Sequence, residues 1–305
     1  PWAAISSYLS RPRVKIDESS NADKIASNFQ HVWISDHQSE LVKKLIAMPE
    51  SNATISIDGL QREPLISYNV VGKIEGNDQH LKKEHLLMCA HYDHVGVQSG
   101  EGNDSIYNGT RDNAIGTTGL INAARYLSKY PPKRSVIIIA LTAEEKGLLG
   151  SQFYTDHPRI PLQETVFALN IDNSGYTETS VMTLLDTNRT NIDPLVYQAA
   201  GEVGLGVTGD RFPGQNYFER SDQASFAKKG VPAINFKMGM TAFDERITTY
   251  YHQPADEIEH VDLDYIYKYW RAYIRTAELI GNWKETPYWV KGDKFEAVGN
   301  KLYNR

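Results

Sequence analysis

The sequence predicts an α/β fold, a three-layer sandwich around a mixed, mostly parallel central sheet. From Ile66 onward, strand-like segments alternate with helix-like segments, as expected when helices cover both faces of such a sheet. The segment SVIIIALTAEE is continuously apolar, which is typical of a strand buried on both faces. SYNVVGKIEG and LLMCAHYD flank the turn GNDQ and predict an antiparallel hairpin at one edge of the sheet.

The later segments supply the other elements in order. Three more strands are predicted in VFALNIDNSG, VMTLLDT and VPAINFKM. Apolar periodicity, with prolines as stop signals, predicts helices over residues 113–130, 147–157, 194–203, 221–229 and 262–283. GLGVTG has the spacing of a dinucleotide-binding loop, but it follows a helix and opens none, so we predict a simple loop. The tail from Lys284 is predicted to pack on the surface.

Residues 1–65 differ in character from residues 66–305. HVWIS is a candidate strand, and a helix is predicted from Asp36 to Met48. The segment is too short to build its own core. The sequence therefore predicts an N-terminal segment over residues 1–65 and a main domain over residues 66–305.

Composition narrows the class of protein. The 305 residues carry a net charge of -6, so no basic field favours a nucleic-acid partner. No apolar run approaches the roughly 20 residues that a membrane span needs. The single cysteine, Cys89, excludes an internal disulfide and a cysteine-based zinc cluster. The chain opens at Pro1 without a signal peptide, which suggests processing or trimming. The sequence does not indicate an oligomeric state.

Ionisable residues follow several of the predicted strands. Because strand ends in an open α/β sheet converge on one crevice, side chains there can share a site despite their separation in sequence. The candidates are His91 and Asp93 after LLMCA, Asp112 in GTRDNAIG, Glu144 and Glu145 after VIIIALTA, Asp172 after VFALNI, and His252 in TYYHQPAD. His94 lies three residues after His91, on the opposite face of an extended strand, so we assign it a structural or supporting role.

These residue types suggest a pair of metal ions. Three carboxylates and two imidazoles suit zinc, with cobalt or manganese as substitutes. A carboxylate can bridge two ions about 3.5–4 Å apart, and the ions can ionise a bound water into a nucleophile. Glu144 and Glu145 are adjacent and point in different directions, so one could bind metal while the other accepts the proton of the water.

Five motifs in this order resemble the co-catalytic dizinc exopeptidases of metallopeptidase family twenty-eight: AHYDH, GTRDNAIG, TAEEKGLLGS, NIDNSG and YHQPADEIEHVD. The resemblance covers about residues 69–264 and implies the zinc-dependent exopeptidase fold, which is phosphorylase/hydrolase-like. It also implies a metallo-aminopeptidase acting on peptides with a free N-terminus, and a secreted or periplasmic location.

The resemblance assigns roles by position. His91 and Asp172 would hold one zinc, Glu145 and His252 the other, and Asp112 would bridge them. Glu144 would be the general base that accepts the proton of the metal-bound water, and the resulting hydroxide bridging the two zinc ions would be the nucleophile. Asp93 would orient His91 through a hydrogen bond, and Tyr251 would stabilise the oxyanion. PWAAISSYLSRPRV and HVWISDHQSELVKKL resemble the later part of a protease-associated domain, followed by the peptidase catalytic domain over residues 66–305.

Three alternatives remain at this stage. A carboxypeptidase or dipeptidase on the same dizinc site would need a cation for the substrate carboxylate, and Arg211 and Arg220 are available for it. A receptor-like relative would have lost the metal site, whereas in this sequence a residue able to bind metal stands at each of the five ligand positions. A glutaminyl cyclase, which uses one zinc, is disfavoured for the same reason. Neither a G-x-S-x-G elbow nor an H-E-x-x-H helix occurs in the sequence.

Overall fold

The computed structural model describes residues 14–16, 39–48, 63–98, 104–185 and 187–305. The chain divides into two compact units, Pro1–Ile66 and Ser67–Arg305. In the first unit, helix α1 spans Glu40–Ile46, within the predicted range of 36–48. The candidate strand HVWIS and residues 1–13 of the first segment that resembles a protease-associated domain lie outside the described residues, and that assignment stays a prediction.

The second unit contains a seven-stranded sheet flanked by helices. Its strands, with a separate two-stranded pair β3 and β4, are β1 Val70–Ile74, β2 His85–His91, β3 Gly96–Val97, β4 Ile106–Tyr107, β5 Ser135–Leu141, β6 Thr165–Ile171, β7 Val181–Leu184, β8 Gly206–Gly209 and β9 Ala233–Met238. The helices are α2 Ile115–Lys129, α3 Leu149–Asp156, α4 Asp193–Glu202, α5 Gln223–Lys228, α6 Glu245–Thr248, α7 Leu263–Asn282 and α8 Glu296–Tyr303. None of the helices in the described ranges has the length and apolar character to cross a membrane.

The strand order is β1-β5-β2-β6-β9-β7-β8. The neighbours β5, β2, β6 and β9 run parallel to one another, and β1 and β7 are antiparallel to their partners β5 and β9. All residues of β2, β6 and β9 are buried. The mixed, mostly parallel sheet between helices confirms the predicted fold class.

Alternating side chains of the central strands supply two apolar layers, one on each face. Leu86 and Met88 of β2 join a core with Leu120 of α2 and Tyr273 of α7. Leu87 and Cys89 join the opposite core with α3, α5 and α8. This period of two places one apolar layer against each face, which is the physical basis of the three-layer arrangement.

The predicted hairpin between the first two strands is wrong. β1 pairs with β5, in register Val70 to Ala140, and β5 lies between β1 and β2. Residues of β1 are mostly exposed, whereas those of β5 are buried on one face and buried or half-buried on the other. A strand with two apolar faces gains most from an inner position, so β5 occupies it and β1 takes the edge.

Two further expectations are corrected by the structure. The loop predicted in GLGVTG contains strand β8, which pairs in parallel with β7. The tail from Lys284 does not merely cover the surface, since Trp289 and Phe295 are buried in the same apolar core as Phe226 of α5. The Trp289 indole donates a hydrogen bond to the Gly230 carbonyl at 3.1 Å. This burial could not be predicted, because the aromatic residues of the tail lie among charged residues and show no regular periodicity.

Candidate metal centre

The sheet brings the predicted site residues to one edge. His91 ends β2, Glu144 and Glu145 follow β5, and Asp172 follows β6. These three strands are direct neighbours and run parallel, so their C-terminal ends deliver polar side chains to one place. The turn before α2 and the loop after α6 bring two more residues over this edge, Asp112 and His252.

Nitrogen and oxygen atoms converge there in two groups. The first contains His91, Asp112 and Asp172, all buried. The Nε2 atom of His91 lies 3.2 Å from Asp112 Oδ1 and 3.3 Å from Asp172 Oδ1. Within the group, one potential ligand atom from each residue lies within 4.8 Å of the others. This is the combination of imidazole and carboxylate that zinc binds in proteins.

The second group contains His94, Asp112, Glu145 and His252. His252 Nε2 lies 3.1 Å from Asp112 Oδ2 and 3.2 Å from Glu145 Oε1. Asp112 is thus shared: one of its oxygens faces the first group and the other faces the second. A carboxylate placed this way can bridge two ions, so the donor set fits a metal pair.

The protonation of the two histidines shows how strongly this cluster attracts positive charge. Burial opposes protonation of His91, but its hydrogen bonds to Asp112 and Asp172 outweigh burial and raise its pKa well above the usual value. Burial also opposes protonation of His252, and hydrogen bonds to Asp112 and Glu145 raise its pKa to about 9. Divalent cations would satisfy the same carboxylates.

His94 lies closer to the centre than the sequence predicted. Its Nδ1 atom is 2.9 Å from Glu145 Oε1, and its ring meets that of His252 edge-on at 5.4 Å. β2 ends at His91, so the alternation of an extended strand no longer applies three residues later. The expectation that His94 points away from the site is therefore wrong.

Asp93 contacts His91 in a different way from that expected. The Nδ1 atom of His91 lies 3.0 Å from the main-chain carbonyl of Asp93 and 3.8 Å from its carboxylate. The carboxylate instead accepts hydrogen bonds from the backbone N–H groups of Glu144, at 3.0 Å, and Glu145, at 3.2 Å. Asp93 therefore orients His91 through its backbone and fixes the Glu144–Glu145 turn through its side chain.

The two adjacent glutamates differ in environment. Burial raises the pKa of Glu145, but hydrogen bonds from His252 and His94 reverse the effect and lower it to about 2. Burial, followed by the charge of Asp172, raises the pKa of Glu144 to about 10. Glu145 is therefore a permanent carboxylate within the second group, and Glu144 is a carboxyl with high proton affinity beside it.

A cavity of about 550 Å³ opens over the centre. Glu144 lines it, and so does Tyr251, whose ring stacks on His252 with centroids 4.0 Å apart. Sequence reasoning missed other residues of this wall, notably Lys237, Asn173 and Tyr217. Lys237 could have been found, because a charged residue near the end of the apolar strand VPAINFKM is the same signal that pointed to His91.

A buried ion pair joins the two loops that bear Asp112 and His252. Arg111 Nη1 lies 2.9 Å from Asp256 Oδ1, and both residues are buried. The second carboxylate oxygen of Asp256 accepts the backbone N–H groups of Arg111, at 2.9 Å, and Asp112, at 3.3 Å. The Arg111 guanidinium also lies 3.7 Å from the centre of the Tyr250 ring. No pattern in the sequence indicated this pair.

The sequence is similar to those of known aminopeptidases. Aminopeptidase YwaD of Bacillus subtilis is 28% identical over 218 residues, which are 70% of this chain and 44% of the relative. Leucine aminopeptidase 2 of Trichophyton equinum is 26% identical over 66% of this chain and 39% of its own length. The chain thus spans less than half the length of these relatives.

Structural comparison points the same way. The structure of BSAP, a zinc aminopeptidase from Bacillus subtilis, superimposes with a TM-score of 0.54 and 25% identity over 68% of this chain and 49% of BSAP. The family model of peptidase family M28 matches residues 69–277, a range that contains every residue of the two ligand groups. The chain belongs to peptidase family M28.

Proposed function

We propose that this protein is a dizinc aminopeptidase that hydrolyses the N-terminal peptide bond of peptides. The observation that carries the proposal is the division of Asp112, whose two oxygens face different histidines in two groups of metal-binding side chains. His91 and Asp172 would complete one zinc site, and Glu145 and His252 the other. Cobalt or manganese could substitute, since the same ligands suit them.

Bound zinc would polarise the substrate carbonyl and provide a hydroxide nucleophile near neutral pH. Glu144 would act as general base, because it lines the cavity beside the two ligand groups, where its carboxylate could take a proton and later return it to the leaving amine. Tyr251, on the cavity wall, would donate a hydrogen bond to the oxyanion. Asp93 would hold the Glu144–Glu145 turn in place.

The test combines metal analysis with one conservative substitution. We expect two zinc ions per chain and hydrolysis of leucine p-nitroanilide that a chelator abolishes and zinc restores. Glu144→Gln should reduce kcat by at least about a hundredfold while zinc content is unchanged. Glu75→Gln, at an exposed surface pair with Lys82, is the matched control. Near-native turnover by Glu144→Gln would exclude it as the base, and absence of bound metal would favour a receptor-like protein.

A carboxypeptidase or dipeptidase is the second candidate. Its specific support is the presence of two cations, Arg220 and Lys237, in the wall of the cavity; Arg211, the other candidate from the sequence, bonds Thr208 instead. Comparing peptides blocked at the N-terminus with peptides blocked at the C-terminus separates the two activities. A secreted or periplasmic location stays a prediction from the resemblance.

A further inference from the structure

Lys237 is a buried cation that faces the cavity, and it has no partner among the described residues. It lies near the end of β9, is 5% exposed and lines the same cavity as Glu144 and Tyr251. Among the described residues, no carboxylate lies within ion-pair distance of its ammonium group and no acceptor bonds it. Burial lowers its pKa, while the charges of Asp172, Asp112 and Glu144 oppose the effect. A buried charge without a counter-ion is costly, so its retention calls for an explanation.

The other cations of the cavity wall differ in this respect. Lys228 pairs with Glu219 at 3.4 Å, so its charge is already balanced. Arg220 is exposed at the cavity and lies 5.4 Å from the Tyr217 ring. In the part of the chain that the structure describes, Arg220 makes no ion pair with a carboxylate. Lys237 and Arg220 therefore face the cavity, and neither is paired with a carboxylate of the described ranges.

The acids near Lys237 belong to the candidate metal centre. If two divalent cations bind, Asp112 and Asp172 would be neutralised and would no longer attract the ammonium group. A second unpaired donor lies on the same wall: the amide nitrogen of Asn173 is buried without a partner among the described residues. Asn173 is fixed against β9, because its Oδ1 accepts the backbone N–H of Met238 at 2.8 Å. This side of the cavity thus presents donors and positive charge.

We propose that Lys237 and Arg220 form a carboxylate-binding subsite beside the metal centre, so that the preferred substrates carry a carboxylate near the cleaved bond. The inference rests on the proposed peptidase function and names its substrate class. The carboxylate has two possible sources, the acidic side chain of an N-terminal residue or the free C-terminus of a dipeptide. A charge-assisted hydrogen bond from a buried ammonium favours either over its neutral counterpart.

Isosteric substrate pairs test the subsite and distinguish its sources. Glutamyl and glutaminyl p-nitroanilides differ only in the side-chain charge, and leucyl-glycine and leucyl-glycinamide differ only in the terminal charge. We expect kcat/KM to favour the charged member of one pair by about tenfold to a hundredfold. Lys237→Met should abolish that preference, so that kcat/KM for the charged member falls to that for the neutral member. Lys229→Met, at an exposed surface pair with Asp156, is the matched control.

Arg220→Gln provides a second variant, since its exposed side chain can be replaced without disturbing the core. We expect it to reduce the same preference by a smaller factor. If Lys237→Met, with normal zinc content and circular dichroism, changes both members of each pair equally, the subsite is refuted and Lys237 serves only to balance the charge of the metal centre.

A binding measurement separates failure of the subsite from failure of the proposed function. If the wild-type protein hydrolyses none of these substrates, the aminopeptidase proposal fails, and calorimetric titration of the zinc-loaded protein still tests the subsite. Glutarate and its monoamide each offer one carboxylate to the metal, but only glutarate has a second. Tighter binding of glutarate by the wild type, lost in Lys237→Met, supports the subsite; equal binding of the two compounds refutes it.

Discussion

The ion pair between Arg111 and Asp256 offers a test of how the centre is held together. Asp256 is fully buried and accepts hydrogen bonds from the Arg111 guanidinium and from the backbone N–H groups of Arg111 and Asp112. Its own carbonyl accepts the N–H of Thr110 at 3.2 Å. Replacement of Asp256 by Ala removes the carboxylate and, with it, three hydrogen bonds between the loop of Asp112 and the loop of His252.

The cost can be estimated from these contacts. Breaking a buried ion pair by removing one partner costs about 3–5 kcal/mol, because the remaining charge is buried without compensation. The two backbone donors also lose their acceptor, and water entering the gap would recover part of that loss. We therefore expect Asp256→Ala to lower the free energy of unfolding by about 4 kcal/mol. Since Asp112 is directly attached to Arg111, zinc affinity should fall by about tenfold to a hundredfold.

Urea denaturation of the zinc-free protein and competition with a chelating dye measure the two effects separately. Asp293→Ala is the control, because Asp293 binds Arg189 at 2.7 Å through a similar, largely buried pair outside the metal centre. It should lose stability but keep zinc affinity. A loss below about 1 kcal/mol for Asp256→Ala, or equal zinc affinity in both variants, would refute the inferred role of the pair.

Three further predictions concern single side chains. His94→Ala should weaken binding of one zinc ion by about tenfold to a hundredfold and spare the other; unchanged affinity for both would place His94 outside the ligand field. Cys89 is fully buried, and burial raises its thiol pKa well above the usual value, so Ellman's reagent should react only after denaturation; rapid reaction of the native protein would contradict this. The raised pKa of Glu144 means that the folded zinc-free protein binds this proton more tightly than the unfolded chain, so ionisation destabilises the fold as pH rises above about 4.5. Glu144→Gln should therefore gain about 4 kcal/mol over the wild type between pH 5 and pH 8 in denaturant titrations, at about 1.4 kcal/mol per pH unit, whereas a constant difference would contradict the pKa shift.

The sequence predicted those parts of the molecule that depend on local pattern. The apolar run ending at His91 became β2, and the long amphipathic segment after Asp262 became α7, whose first turn Asp262 caps through the backbone N–H of Tyr265 at 3.0 Å. The sequence also predicted that the residues after these strands lie close together, because the C-terminal ends of neighbouring parallel strands meet at the same edge of the sheet.

Features that depend on distant contacts could not be predicted in this way. The edge position of β1 is decided by competition with β5, a strand that comes about 65 residues later. The burial of Trp289 depends on its contact with the Phe218 ring and its hydrogen bond to the Gly230 carbonyl, and the pattern of its own segment cannot predict contacts with such distant residues. The position of His94 depends on where β2 ends, and strand boundaries are the least regular part of a local pattern.

The spread of the ligands along the chain also has a kinetic consequence. His91 and Asp172 are 81 residues apart, and Asp112 and His252 are 140 residues apart, so no local segment can assemble either ion position. Both positions are complete only after the central strands have paired and the later loop has closed over them. Zinc should therefore stabilise contacts formed late, slowing the unfolding rate while leaving the refolding rate almost unchanged.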